Sequence, residues 1–63
     1  MTTKDAFAII DKSTLESCLI MLTIAAPNMA DKLELLMASD MDQQSLLATA
    51  RDFVRQQYLL ETN

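Results

Sequence analysis

The chain has 63 residues, of which 51% are apolar, and nine carboxylates against five basic side chains give it a formal net charge of −4. It contains no glycine and no histidine, which excludes glycine-rich phosphate-binding loops and removes the commonest general base and transition-metal ligand. Its single cysteine, Cys18, excludes an intramolecular disulfide and a cysteine-rich zinc site.

Charge and hydropathy also argue against nucleic acid and membrane as direct partners. The basic residues are dispersed: Lys4, Lys12, Lys32, Arg51 and Arg55. Each lies near carboxylates, whereas affinity for nucleic acid depends on clustered Lys and Arg. The longest apolar run, 18–26, is well short of the ~20 residues of a membrane-spanning helix. We therefore expect a cytoplasmic protein without direct contact to nucleic acid or membrane.

The residue types favour helices throughout. Ten Leu, eight Ala and five Met outnumber five Val and Ile, a bias typical of helix rather than strand. The expected architecture is a single all-α domain over 1–63, a small bundle of three to four helices that is completed by homodimerisation.

The first helical region covers about 4–26. Thr2 or Thr3 can cap its start, with Asp5 near the positive end of the helix dipole, and apolar residues then recur at three- and four-residue steps. We favour one continuous helix. The alternative is a break near residue 13, because Ser13 and Glu16 have the spacing of a capping box.

Two further helices are predicted after Pro27, which ends the first region. The second covers about 29–38, with Asn28 as its N-cap. The last covers about 41–60, with Ser39 or Asp40 as its cap, and carries a broad apolar face.

The segment 18–26 is apolar nearly all round the helix, and a helix of this kind is normally buried on every side. Two helical partners from so short a chain can hardly cover it, so we predict a second copy of the chain or another protein as cover. The predicted interface residues are Leu19, Ile20, Leu22, Ile24, Met37, Phe53, Val54 and Tyr58.

No constellation of residues points to catalysis, to a cofactor or to a metal ion. Asp40 and Asp42 resemble the start of a calcium loop, but the glycine and the glutamate which that loop requires are missing. We therefore expect a protein that is not an enzyme and that has no cofactor.

The functional hypothesis is an acidic helical protein–protein interaction module, a regulator, adaptor or inhibitor of bacterial or phage type. Asp40, Asp42 and Asp52 are the candidate acidic surface for contact with a basic face of the target. One alternative is a helix-turn-helix-like transcriptional regulator, although Asp40 and Asp42 precede the would-be recognition helix. The other is a structural or assembly subunit of a larger complex.

Overall fold

The computed structural model describes residues 2–62, with helices and turns but no strand in that range. Helix α1 covers Thr3–Ile10, α2 covers Leu15–Ala25, α3 covers Pro27–Met37 and α4 covers Gln43–Thr62. The all-helical architecture predicted from composition is therefore confirmed. Homodimerisation stays a prediction.

The prediction of one continuous helix over 4–26 is wrong, because the chain turns at residues 11–14 between α1 and α2. Thr2, one of the two expected caps, caps α1, and it also forms a reciprocal capping box with Asp5 that was not predicted from the sequence. The break lies near residue 13, as the alternative prediction placed it. The N-cap of α2 is Thr14 rather than Ser13, because the Thr14 hydroxyl oxygen accepts a hydrogen bond of 3.1 Å from the Ser17 N–H.

The caps of the later helices also differ from expectation. Asn28 does not cap α3; the N-cap is Ala26, and Pro27 takes the first helical position, where its missing N–H costs no hydrogen bond. Asp42, rather than Ser39 or Asp40, caps α4: its carboxylate accepts a hydrogen bond of 3.1 Å from the Ser45 N–H.

Helix α2 lies at the centre of the bundle and packs against both α3 and α4, whereas α1 packs against α4 alone. The buried core draws on all four described helices, with the following residues: Ile10, Cys18, Leu22, Ala30, Leu33, Leu46, Ala50 and Val54. The Cα envelope measures 35 × 21 × 14 Å. Its shortest dimension fits two layers of helices at the usual 8–10 Å spacing, so every helix keeps a face toward solvent.

Candidate functional site

An open apolar groove runs between α1 and α2 on the bundle surface. No Cα atom of α1 lies within 8 Å of a Cα atom of α2, so the two helices diverge from the turn at 11–14. The space between them has a volume of about 440 Å³. Its lining residues are Ala6, Ile9, Ile10, Met21, Leu22, Ile24, Ala25, Val54, Gln57, Tyr58 and Glu61.

The floor and the walls of the groove differ in burial. Ile10, Leu22 and Val54 form the floor and belong to the buried core. The walls project into solvent: Ile9 of α1 is 57% exposed and Ile24 of α2 is 81% exposed. The groove is therefore a fixed apolar depression with uncovered apolar edges, a form typical of surfaces that receive another molecule.

Contacts from α4 hold the groove open by fixing α1 and the turn. The rings of Phe7 and Tyr58 meet edge to face with centroids 6.2 Å apart. Arg51 Nε donates a hydrogen bond of 3.0 Å to the Ser13 carbonyl oxygen, and the Arg55 guanidinium is paired with the Asp11 carboxylate. These long-range contacts keep α1 on α4 rather than on α2.

The groove carries one charged lining residue, Glu61, near the end of α4. Gln57 Nε2 donates a hydrogen bond of 3.1 Å to the Glu61 carboxylate. Asp5 is exposed on the first turn of α1, next to the lining residue Ala6, whereas Glu16 lies one turn before Ile20, on the side of α2 that faces away from the groove. The edge of the groove is thus acidic, and none of the lining residues that the structure describes is basic.

A second depression, of about 300 Å³, is also largely apolar and includes Leu15 and Leu47, but its charged side chains are basic. It lies beside the turn at 11–14 and is lined by Lys12 and Arg51 together with hydroxyl and amide side chains. Since Arg51 is already bound to the Ser13 carbonyl oxygen, this depression follows from the anchoring of the turn.

The predicted interface residues separate into three groups. Ile20, Ile24 and Met37 are exposed to solvent. Leu19, Phe53 and Tyr58 are half-buried against the core. Leu22 and Val54 are enclosed by the helices of their own chain, and offer a partner only the part of their surface that forms the groove floor. The apolar surface left for a partner is therefore smaller than the sequence indicates.

The predicted acidic residues are all exposed, but two of them have local roles. The Ser45 hydroxyl and N–H donate hydrogen bonds that lower the pKa of Asp42. Asp52 accepts a hydrogen bond of 2.9 Å from Gln56 Nε2, and its carboxylate lies 3.8 Å from the Arg55 guanidinium. Asp40 lies in the turn between α3 and α4.

Other candidate chemistries find no support in residues 2–62. Cys18 is fully buried, and burial raises the pKa of its thiol, which makes it a poor nucleophile. No group of three His, Cys, Asp or Glu side chains in this range could hold a metal ion. Within the same range, no helix combines the length and apolar character needed to cross a bilayer.

Sequence reasoning missed Ile9 and Glu61 as parts of the site. A continuous helix over 4–26 places Ile9 and Ile24 on one helix, so no groove can form between them. The alternative break near 13 was the one signal that separates the two segments. Glu61 lies one residue beyond the predicted end of the last helix, 41–60.

The comparisons with known proteins add no relative: no protein-family model, no curated protein and no solved structure matches this chain. The functional argument therefore depends on the residues of the chain itself.

Proposed function

We propose that this protein is a small acidic helical interaction module that binds another protein and acts as its regulator, adaptor or inhibitor. The observation that carries the proposal is the apolar groove between α1 and α2, whose walls at Ile9 and Ile24 stand uncovered in solvent. Each aliphatic side chain that a partner covers gains up to ~1.5–3 kcal/mol, so such a surface favours association.

We also propose that two copies associate through the outer face of α2, as the homodimer predicted from the sequence requires. Ile20 and Ile24 lie four residues apart and are 55% and 81% exposed, so they form one ridge along the helix. The helix has no charged residue from Ser17 to Ala25, and an antiparallel crossing keeps the two Glu16 carboxylates apart. Two copies can therefore pack through the outer face of α2 without placing carboxylates of like charge opposite each other.

The oligomeric mass tests the dimer. Light scattering after size exclusion should give about twice the 7.1 kDa chain mass, and Ile20→Lys should return it to the mass of one chain. The matched control is Leu35→Lys, because Leu35 is 73% exposed on α3 and lines neither depression. A wild-type mass of one chain across micromolar concentrations contradicts the dimer.

Affinity capture with chemical crosslinking tests the interaction function. Wild-type protein should recover a partner in a stoichiometric complex, and Leu35→Ala should recover the same amount. Recovery of no stoichiometric partner from lysates in which the protein is expressed would contradict the function.

The transcriptional-regulator alternative lacks the charge that it requires. Helices α3 and α4 are joined by a five-residue turn, 38–42. The start of α4 carries the exposed carboxylates of Asp40 and Asp42, which would face DNA phosphates with like charge. A structural subunit of a larger complex would use the same groove, and identification of the captured partner separates that role from regulation.

A further inference from the structure

We propose that the groove receives an amphipathic helix of the partner protein, and that Lys or Arg residues flank the apolar stripe of that helix. This inference rests on the proposed interaction function and specifies its ligand. It is argued from the shape of the groove, from the distribution of charge around it and from the composition of the chain's own helices.

The shape favours a helix over a small molecule. A volume of about 440 Å³ is within the range of small-ligand pockets. A small ligand on the floor of Ile10, Leu22 and Val54 would leave the outer parts of Ile9 and Ile24 in water. A helix laid between α1 and α2 inserts its apolar side chains into the depression and covers both walls, which is a recurrent mode of peptide recognition.

The charge distribution favours a basic flank on that helix. Glu61 lines the groove, and Asp5 is exposed on α1 beside the lining residue Ala6. Lys4 lies about 200° around α1 from Ala6, on the far side of that helix.

The two arginines are likewise directed away from the groove. Arg51 and Arg55 are bound to the Ser13 carbonyl oxygen and to Asp11 at the turn. A cation on the partner therefore meets carboxylates at the groove edge without a competing cation from the walls.

A second copy of this chain does not supply that chemistry in the groove. Its most exposed apolar helix, α2, contains no Lys or Arg and carries Glu16 in its first turn. Each further copy also brings a net charge of −4. The groove therefore fits a basic helix from another protein, whereas the outer ridge of α2, which is uncharged from Ser17 to Ala25, fits a second copy, and Ile24 borders both surfaces.

Two labelled model peptides test the inference by fluorescence anisotropy at low ionic strength. Both are capped at their ends and about 15 residues long, near the length at which an isolated helix begins to form. The first carries Leu at i, i+3, i+4 and i+7 with Lys on both flanks, and the second has Glu at every Lys position. We expect the Lys peptide to bind about tenfold more tightly than the Glu peptide, and equal binding would overturn the inference.

Two variants locate the binding on the protein. Ile9→Ala should weaken the Lys peptide about fivefold, while Leu35→Ala, which removes a similarly exposed aliphatic side chain, should leave it unchanged. Glu61→Lys should reduce the preference for the Lys peptide at least threefold, and Glu34→Lys, an equal change in net charge on α3, should reduce it much less. Equal effects of Glu61→Lys and Glu34→Lys would mean that only net charge attracts the peptide, which overturns the inference.

The capture experiment separates failure of this inference from failure of the proposed function. If a stoichiometric partner is recovered and Ile9→Ala recovers it equally well, the interaction function stands and the groove inference is refuted. If neither a partner nor a peptide binds, both are refuted. Loss of the captured partner in Ile9→Ala together with tighter binding of the Lys peptide to wild type supports both.

Discussion

Two residues on the same helix, Leu22 and Ile24, should differ strongly in how much stability the protein loses when each is replaced by Ala. Leu22 is 1% exposed and packs in the core, whereas Ile24 is 81% exposed. Leu22→Ala should lower the free energy of unfolding by ~2–5 kcal/mol, since it removes a buried side chain and leaves a cavity. Ile24→Ala should change it by less than ~0.5 kcal/mol in the monomer, as is usual for exposed positions.

The predicted loss at Leu22 is large relative to the whole molecule. At ~0.05–0.15 kcal/mol per residue, a chain of 63 residues is stable by roughly 3–9 kcal/mol. Leu22→Ala therefore removes at least about a fifth of that stability, and it should leave a visibly unfolded population at 25 °C if the chain lies at the lower end of the range.

Urea denaturation followed by circular dichroism measures both variants. It should be repeated at several protein concentrations, because a dimer across α2 makes the effect of Ile24→Ala grow with concentration. Equal losses for the two variants at every concentration would refute the placement of Ile24 in solvent. A loss below ~1 kcal/mol for Leu22→Ala would refute its place in the core.

Three further outcomes are expected from the local contacts. Because the pKa of Asp42 is lowered in the folded protein, its carboxylate cap stabilises the fold fully above the unfolded-state pKa of ~3.9. This stabilisation is lost as the pH falls through the folded-state pKa. Asp42→Asn should therefore flatten the acid limb of a curve of unfolding free energy against pH. Cys18 should react with a thiol reagent only after unfolding, since burial raises its pKa, whereas a thiol placed at the exposed site by Ser17→Cys in a Cys18→Ala background should react at once. Arg51→Lys should cost ~1 kcal/mol in urea denaturation, because the hydrogen bond to the Ser13 carbonyl oxygen is lost; an unchanged midpoint would show that the turn does not need this anchor.

Composition and periodicity were sufficient for the helical class and for the approximate ranges of α3 and α4. They were not sufficient for the break before α2. The apolar stripe continues through Ser13 and Thr14, and a hydroxyl pair inside a helix is only mildly unfavourable. The contacts that hold the turn come from Arg51 and Arg55, which lie 38 and 44 residues further along the chain, so no local pattern contains them.

The caps show the same limit at shorter range. Ser13 and Thr14, or Asp40 and Asp42, offer equivalent side-chain acceptors within two residues of each other. The choice depends on where the chain leaves the helix, which packing decides. At Pro27 the fixed φ angle of the ring suits the first helical position, and this preference outweighed the side chain of Asn28.

The break also explains why α2 is apolar on nearly every side. A helix that packs against two neighbours needs a broad apolar face, and Cys18 and Leu22, one turn apart, lie on that face in the core, with Leu15 and Leu19 packed beside them. Because α1 turns away at residues 11–14, a second face, with Met21 and Ile24, borders the groove instead of a neighbouring helix. The apolar residues of α2 are thus divided among core, groove and outer ridge, with Ile24 at the border between groove and ridge. Only the latter two need cover from outside the chain, and their different charge surroundings are the physical basis for assigning them different partners.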